Sequence, residues 1–317
     1  MIKLRIGLIR MSDPIIEINN LEKTFSDFKA LQGINLQINK GEIVGLLGPN
    51  GAGKTTTLKI LTGLLNADRG SIKIMGAEIS KNLPTWLKAK IGVVFEESNL
   101  YLRLNALDNL KLFAGINNVS SERVNKLLSE YQLQDAAKKE VKKFSKGMKK
   151  RLMICRALLA EPEILILDEA TGGLDPISAE IIRKKVLDLK KEGKTVILST
   201  HYLEEADRLC DRIAFINQGR VIAVDRPAAF KDSLQEKYLE LKFLDESNRT
   251  EQEIELYIEN ILDPGDNFSL QAQVLTLQLT INQQLFEKAA GAASKFKLID
   301  VDKIEADLQE VFNNINK

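Results

Sequence analysis

Eight residues, Gly48-Pro49-Asn50-Gly51-Ala52-Gly53-Lys54-Thr55, lie between an apolar run, EIVGLL, and the segment TTLKILTGLL. Their spacing is G-x-x-x-x-G-K-[ST], in the strand-before, helix-after setting that the pattern requires. Glycines let successive backbone N–H groups converge on phosphate oxygens, and a helix N-terminus adds partial positive charge. Lys54 is spaced to reach β- and γ-phosphates, and the Thr55 hydroxyl to bind Mg²⁺. Thr56 extends the same cradle. A second chemical signal is ILILDEA, Ile164 to Ala170, an apolar strand that ends in two acids. A buried strand that delivers carboxylates at its carboxyl end fits the ligand crevice of an α/β sheet. Asp168 would hold Mg²⁺ through water. Glu169, one residue on, would orient or deprotonate an attacking water. The third signal is His201, the only histidine, just past the β-branched run TVILST. A lone histidine is equally at home as a hydrogen-bonded structural residue.

These groups need elements to position them. Short alternating segments in residues 15–47 and 71–95 predict an antiparallel layer and part of a core sheet. Residues 100–145 read as mostly helical, with Val124, Leu127, Leu128 and Tyr131 at helical spacing. Residues 160–225 alternate strand and helix. Asp175-Pro176 starts a helix, with Asp as N-cap and Pro at the first helical position. Ile182, Val186 and Leu189 form its buried stripe and Gly193 ends it.

A phosphate cradle does not by itself distinguish kinases, GTPases and motors. FSKGMKKRLMICRALLAEP, Phe144 to Pro162, does. Here the chain resembles the ATP-binding cassette (ABC) ATPases, in particular the ATPase subunits of bacterial export-type transporters. Ser145-Lys146-Gly147-Met148 resembles that family's signature, usually Ser-Gly-Gly-Gln. The resemblance covers roughly residues 13–230. It implies a P-loop α/β domain with a core sheet, an antiparallel β subdomain and a helical subdomain. It implies that Phe25 stacks on adenine, that Glu96 stands at the Q-loop position near Mg²⁺, and that Asp175 belongs to the D-loop. His201 becomes the switch histidine, which contacts the γ-phosphate and holds the catalytic water with Glu169. Ser145 and Gly147 would face ATP bound by a partner subunit. The implied cofactors are ATP and Mg²⁺. The implied partners are a separate integral-membrane permease and a second copy or a closely related ABC subunit, at the cytoplasmic face of the membrane. Three features depart from the family pattern. Glu96 is charged where glutamine is usual. Lys146 replaces a glycine, with its charge toward a γ-phosphate or its stem toward solvent. Ala170 stands where proline is common. Phe25, beside Phe28, also fits a core position, and Asp175 serves equally as a helix cap.

Composition agrees with a globular chain: 317 residues, 44% hydrophobic and 28% charged, with no apolar stretch near the ~18 residues of a membrane span. The opening MIKLRIGLIRMSDP is broken by Arg5 and Arg10 and lacks a small-residue cleavage site, so it does not read as a signal peptide. Residues 1–12 read as an extension, with Met11 as an alternative start. Cys155 and Cys210 have no metal-ligand spacing and are expected to be reduced and buried. Lys231 to Lys317 carries 17 acidic and 9 basic residues, a net of −8, which leaves +9 on the rest. This asymmetry divides a 13–230 ATPase domain from a 231–317 accessory domain. KYLELKFL and QVLTLQLT in that second part alternate as half-buried strands do, and IEADLQEVFNNINK reads as a short amphipathic helix, giving a small α+β appendage of regulatory or dimer-contact character. Eight basic residues between Lys138 and Arg151 read as a solvated helix face. They lack the aromatic platform of a nucleic-acid site, and no nucleic-acid partner is expected. Rival readings are a soluble ABC ATPase of DNA repair or translation and a non-hydrolysing regulatory module. Only 91 residues separate Lys54 from Ser145, too few for a long coiled coil, and there is one cassette. Intact Glu169 and His201 argue against the regulatory module.

Overall fold

The computed structural model describes residues 14–304 apart from 80–81, 234–237, 248, 264–265, 272 and 281–283. The expected N-terminal extension and the tail helix through DLQEVF lie outside the described residues. Contacts divide the chain into two compact units, Met1–Pro227 and Ala228–Lys317.

The first unit opens with the hairpin β1 (Pro14–Phe25) and β2 (Phe28–Asn39), followed by β3 (Ile43–Leu47) and α1 (Lys54–Leu61). Next come β4 (Arg69–Ile74), β5 (Ala77–Ile79), the single turn α2 (Thr85–Lys88) and β6 (Ile91–Val94). A helical stretch holds α3 (Ala106–Ile116), α4 (Ser121–Glu130) and α5 (Lys146–Ala157). The chain then runs through β7 (Ile164–Asp168), α6 (Pro176–Lys191), β8 (Thr195–Thr200), α7 (Leu203–Leu209), β9 (Arg212–Asn217) and β10 (Arg220–Asp225). After α8 (Pro227–Ser233), the second unit holds β11 (Tyr238–Leu244), α9 (Glu251–Glu259), β12 (Asn267–Gln271), β13 (Val274–Thr280), α10 (Leu285–Ala293) and β14 (Lys297–Ile304).

The core sheet has the order β10-β9-β3-β8-β7-β6, and β9 through β6 in that order are mutually parallel. Every residue of β3, β7 and β8 is buried. Runs such as ILILD and TVILST therefore read as unbroken rather than alternating, as strands covered on both faces must. A separate antiparallel sheet has the order β2-β1-β4-β5. Its alternation shows in β2, where Ile34, Leu36 and Ile38 are buried between exposed residues.

Helix ends follow the expected chemistry. Ser120 caps α4 and Asp175 caps α6, with Pro176 at the first turn of α6. Gly193, at φ +80°, follows the end of α6, and Ile182, Val186 and Leu189 are its buried stripe. One expectation differs. Residues 131–145 are not a regular helix but irregular chain with two three-residue 3-10 turns, Gln134–Ala136 and Val141–Lys143. The basic residues there do not share one solvated face either. Lys142 and Lys143 are exposed on such a turn, while Lys150 and Arg151 are buried on α5.

The second unit is a sheet of order β12-β13-β11-β14, antiparallel throughout. It has its own apolar cluster of Leu241, Phe243, Leu275, Leu277, Ile254 and Ile258 among others.

Candidate active site

The parallel strands direct their carboxyl ends to one edge of the core sheet, where open α/β sheets bind ligands. Gly48 follows β3, Asp168 ends β7, His201 follows β8, and Glu96 stands two residues past β6. Two glycines of the loop are required by space. A Cβ on Gly48 would lie 2.0 Å from the Ile216 carbonyl oxygen. Gly53, at φ +109°, would place one 2.8 Å from the Ala30 carbonyl oxygen. Only hydrogen fits there, and Gly53 also needs the left-handed backbone. Lys54 starts α1 and is 94% buried, with 6% of its surface exposed. Its Nζ donates to the carbonyl oxygens of Gly48, at 2.6 Å, and Pro49, at 3.1 Å, so the ammonium sits inside the curve of its own loop. Burial pushes its pKa down, and the carboxylates of Glu169 and Asp168 oppose that shift. Ala52 and Gly53 are buried, Pro49, Asn50, Gly51 and Thr55 exposed, and Thr56 intermediate.

Thr55 Oγ1 donates to Asp168 Oδ1 at 3.2 Å. Asp168 is 2% exposed and also accepts a short hydrogen bond from Ser199 Oγ. The same Ser199 oxygen accepts from the Glu169 N–H at 3.2 Å. Glu169 has φ +49°, a left-handed conformation uncommon outside glycine and concentrated at functional sites. That backbone turns the carboxylate away from the strand line, and its Oε1 meets His201 Nδ1 at 3.0 Å. The Tyr202 ring packs on the imidazole with centroids 4.1 Å apart. Among the described residues no cluster of three or more His, Cys, Asp or Glu side chains is arranged to enclose a metal. Thr55 and Asp168 instead form a two-oxygen edge. Such an edge suits a cation that keeps several waters and takes phosphate oxygens, as Mg²⁺ does.

The other residues singled out in the sequence stand around this centre. Among the described residues no hydrogen bond joins Ser145, Gly147, Phe25 or the Glu96 side chain to it. Ser145 caps α5, its Oγ accepting from Met148 N–H at 3.2 Å. Gly147 is buried, and a Cβ there would lie 2.3 Å from Ser178 Oγ, so its bareness lets α5 sit against the start of α6. Lys146 is exposed, with its ammonium beside Gly173. Asp175 Oδ1 accepts from Ser178 N–H at 2.9 Å, and that bond holds its carboxyl below the usual range. Phe25 is 45% exposed and Phe28 60% exposed, which removes the core reading of Phe25. The Glu96 side chain is exposed. Sequence reading missed two residues. Ser199 bonds the Asp168 carboxylate and the Glu169 backbone N–H, and its only signal is a hydroxyl near the end of an apolar strand. Lys150, taken as part of a solvated face, is 3% exposed.

Comparison with known proteins identifies the family. The sequence profile described as ABC transporter matches residues 31–172. A Nod factor export ATP-binding protein I of Cupriavidus metallidurans is 39% identical over 69% of this chain and 73% of its own length. The chain belongs to the ABC transporter ATPases. A fluoroquinolones export ATP-binding protein of Mycobacterium tuberculosis is 43% identical over 64% of this chain and 67% of its own. A lantibiotic transport ATP-binding protein of Streptococcus pyogenes is 42% identical over 66% and 89%. A dimeric ATP-binding cassette in a post-hydrolysis state with ADP and Pi superposes with a TM-score of 0.62 at 29% identity, covering 67% of this chain and 98% of that one. This ABC chain is thus an ATP-binding cassette with the P-loop α/β fold and an ATPase of the export-related group.

Proposed function

We propose that the chain hydrolyses ATP as one half of a dimer and thereby drives export through a separate membrane-embedded permease. The observation that carries this reading is the Glu169–His201 pair, 3.0 Å apart, beside the Thr55–Asp168 edge. The cradle from Gly48 to Thr56 holds the phosphates through backbone N–H groups, and Lys54 exchanges its loop carbonyls for β- and γ-phosphate oxygens. Thr55, and Asp168 through water, would hold Mg²⁺, which would supply positive charge against the phosphoryl oxygens. Glu169 accepts the proton of the attacking water. The water oxygen bonds to the γ-phosphorus as the bridge to the β-phosphate breaks, leaving ADP and phosphate. With Nδ1–H held by Glu169, only the doubly protonated His201 ring has an Nε2–H left to donate to the γ-phosphoryl oxygens. Phe25, exposed at the tip of the β1–β2 hairpin, stacks on adenine.

Dimerisation is supported by the dimeric neighbour and by the shape of α5. Its capped N-terminus presents Ser145 on the surface, able to meet the γ-phosphate held by the partner's Lys54. A membrane partner is supported by the export relatives and by a groove of about 440 Å³ lined by Leu64, Leu83, Phe95, Phe113, Ala157 and Arg156. Leu112 and Ile116 on α3 are exposed nearby in sequence. No helix among the described residues is long and apolar enough to cross a membrane. In this proposal the translocation path is a separate permease, with the ATPase at its cytoplasmic face. The chain divides by function into an ATPase domain, residues 13–230, and an accessory domain, residues 231–317.

The test is complementation. Lys54→Ala and Ser145→Arg each spoil both sites of their own dimer, whereas a mixed dimer has one intact site. With Glu169→Gln added to stop turnover, ATP should dimerise the mixture and neither mutant alone. No recovery, with a Glu169→Gln parent that does dimerise, rejects the shared site. In native membranes a photo-crosslinker at Phe113 should capture a multi-span protein; labelling of soluble proteins alone rejects the permease.

A further inference from the structure

Lys150 lies on α5, five residues after Ser145, and its side chain is almost wholly buried. Its Nζ donates to the carbonyl oxygens of Phe95, at 3.1 Å, and Glu96, at 3.3 Å. Both bonds are to main chain. These carbonyls stand where β6 ends and the exposed stretch Glu96–Asn99 begins. Taking an ammonium out of water is expensive unless it is hydrogen-bonded and balanced by charge. A methionine would fill the same space without that cost, so the charge needs an explanation. Burial pushes the pKa of Lys150 down, and the carboxylate that most opposes this is Glu96, followed by Asp168. The ammonium therefore joins two segments more than 50 residues apart in sequence. One carries Glu96 just past the carboxyl end of β6, on the sheet edge where Gly48 follows β3, and the other begins with the surface-facing Ser145.

We propose that Lys150 is a positioning residue that fastens the Glu96 loop to the signature helix, so that nucleotide contact at Glu96 sets the position of Ser145 and Gly147. This rests on the reading of Glu96 and Ser145 as nucleotide-facing. Its physical basis is that two hydrogen bonds to consecutive carbonyls fix a segment against both translation and tilt, where one would act as a pivot. A change of about 1 Å in such a link suffices to misplace groups at a reaction centre.

The experiment compares Lys150→Met, which keeps chain length and loses the donor, with Lys150→Gln, which keeps an N–H donor and loses the charge. For Lys150→Met, kcat should fall about tenfold or more through misplacement of the signature helix. Affinity for a fluorescent ATP analogue should change by less than about threefold, since the cradle itself is untouched. Amide exchange should quicken at residues 95–99 and stay unchanged in α1. Lys150→Gln should recover part of both losses. Should Lys150→Met not fold, Lys150→Gln carries the same readouts, with a smaller fall in kcat and a smaller gain in exchange confined to 95–99. The proposal is overturned if kcat stays within about twofold of wild type. It is overturned equally if exchange rises throughout the unit together with a lower Tm, the behaviour of an ordinary buried residue. If the wild-type chain shows no hydrolysis, the functional reading fails on its own, and the exchange comparison still decides the tether.

Discussion

At the scale of single residues, Glu169 and His201 are separable by what they touch. In the proposed mechanism, Glu169→Gln removes a base and no phosphate contact. It should keep ATP affinity and lower hydrolysis by about 10²–10⁴-fold, read by nucleotide binding alongside phosphate release; turnover near wild type would remove Glu169 from its role. His201 is 43% exposed at the side chain and contributes little burial. His201→Ala should slow hydrolysis while Tm shifts by no more than about 2 °C, as for a surface change in a domain of this size. A large Tm loss with unchanged specific activity would make it a structural residue. Gly48 is the opposite case. Its absent Cβ would meet the Ile216 backbone oxygen at 2.0 Å, and backbone cannot step aside as a side-chain tip can. Gly48→Ala should cost about 1–3 kcal/mol or more in chemical denaturation and weaken nucleotide binding with it.

At the scale of elements, α6 couples stability to the site through its N-cap. Asp175 caps the helix through Ser178 N–H, and the bond lowers its pKa. A carboxylate depressed in the folded state contributes stability above its unfolded pKa and loses it as pH falls through the folded value. Asp175→Ala should therefore lower Tm at neutral pH, and the difference from wild type should shrink as the pH drops below the usual carboxylate range. A difference independent of pH would mean that the charged cap does not act. Much of this helix was legible from sequence, because cap, Pro, apolar stripe and terminal Gly are all local signals. The irregular chain at 131–145 was not. A lysine-rich run has helix-forming composition, yet the short turns there are set by packing of Tyr131, Leu133 and Val141.

At the scale of the whole molecule, each unit has an apolar cluster of its own among the described residues. One joins β1–β4 with the core strands, and the other lies wholly after residue 238. A chain ending near residue 230 keeps every nucleotide residue and the entire first cluster. It should fold and bind ATP with the affinity of the full chain, checked by thermal melting and titration. Aggregation where the full chain stays dispersed would mean that the second unit completes the first. The same separation explains why the charge asymmetry near residue 230 was visible in composition, since each unit needs its own surface.

The sequence by itself determined the phosphate cradle, the two-acid strand and the family, because these depend on residue type at fixed short spacing. It also determined the buried strands, whose apolar runs leave no other face. Tertiary structure alone decided which distant side chains meet. That Ser199 bonds Asp168 and supports Glu169 follows from β7 and β8 lying side by side in register. That Lys150 is buried against Phe95 and Glu96 follows from α5 packing beside β6. Hydrogen bonds are made through space at about 3 Å, and residues 31 or 55 positions apart are brought to that distance only by the folded sheet and the helices laid on it.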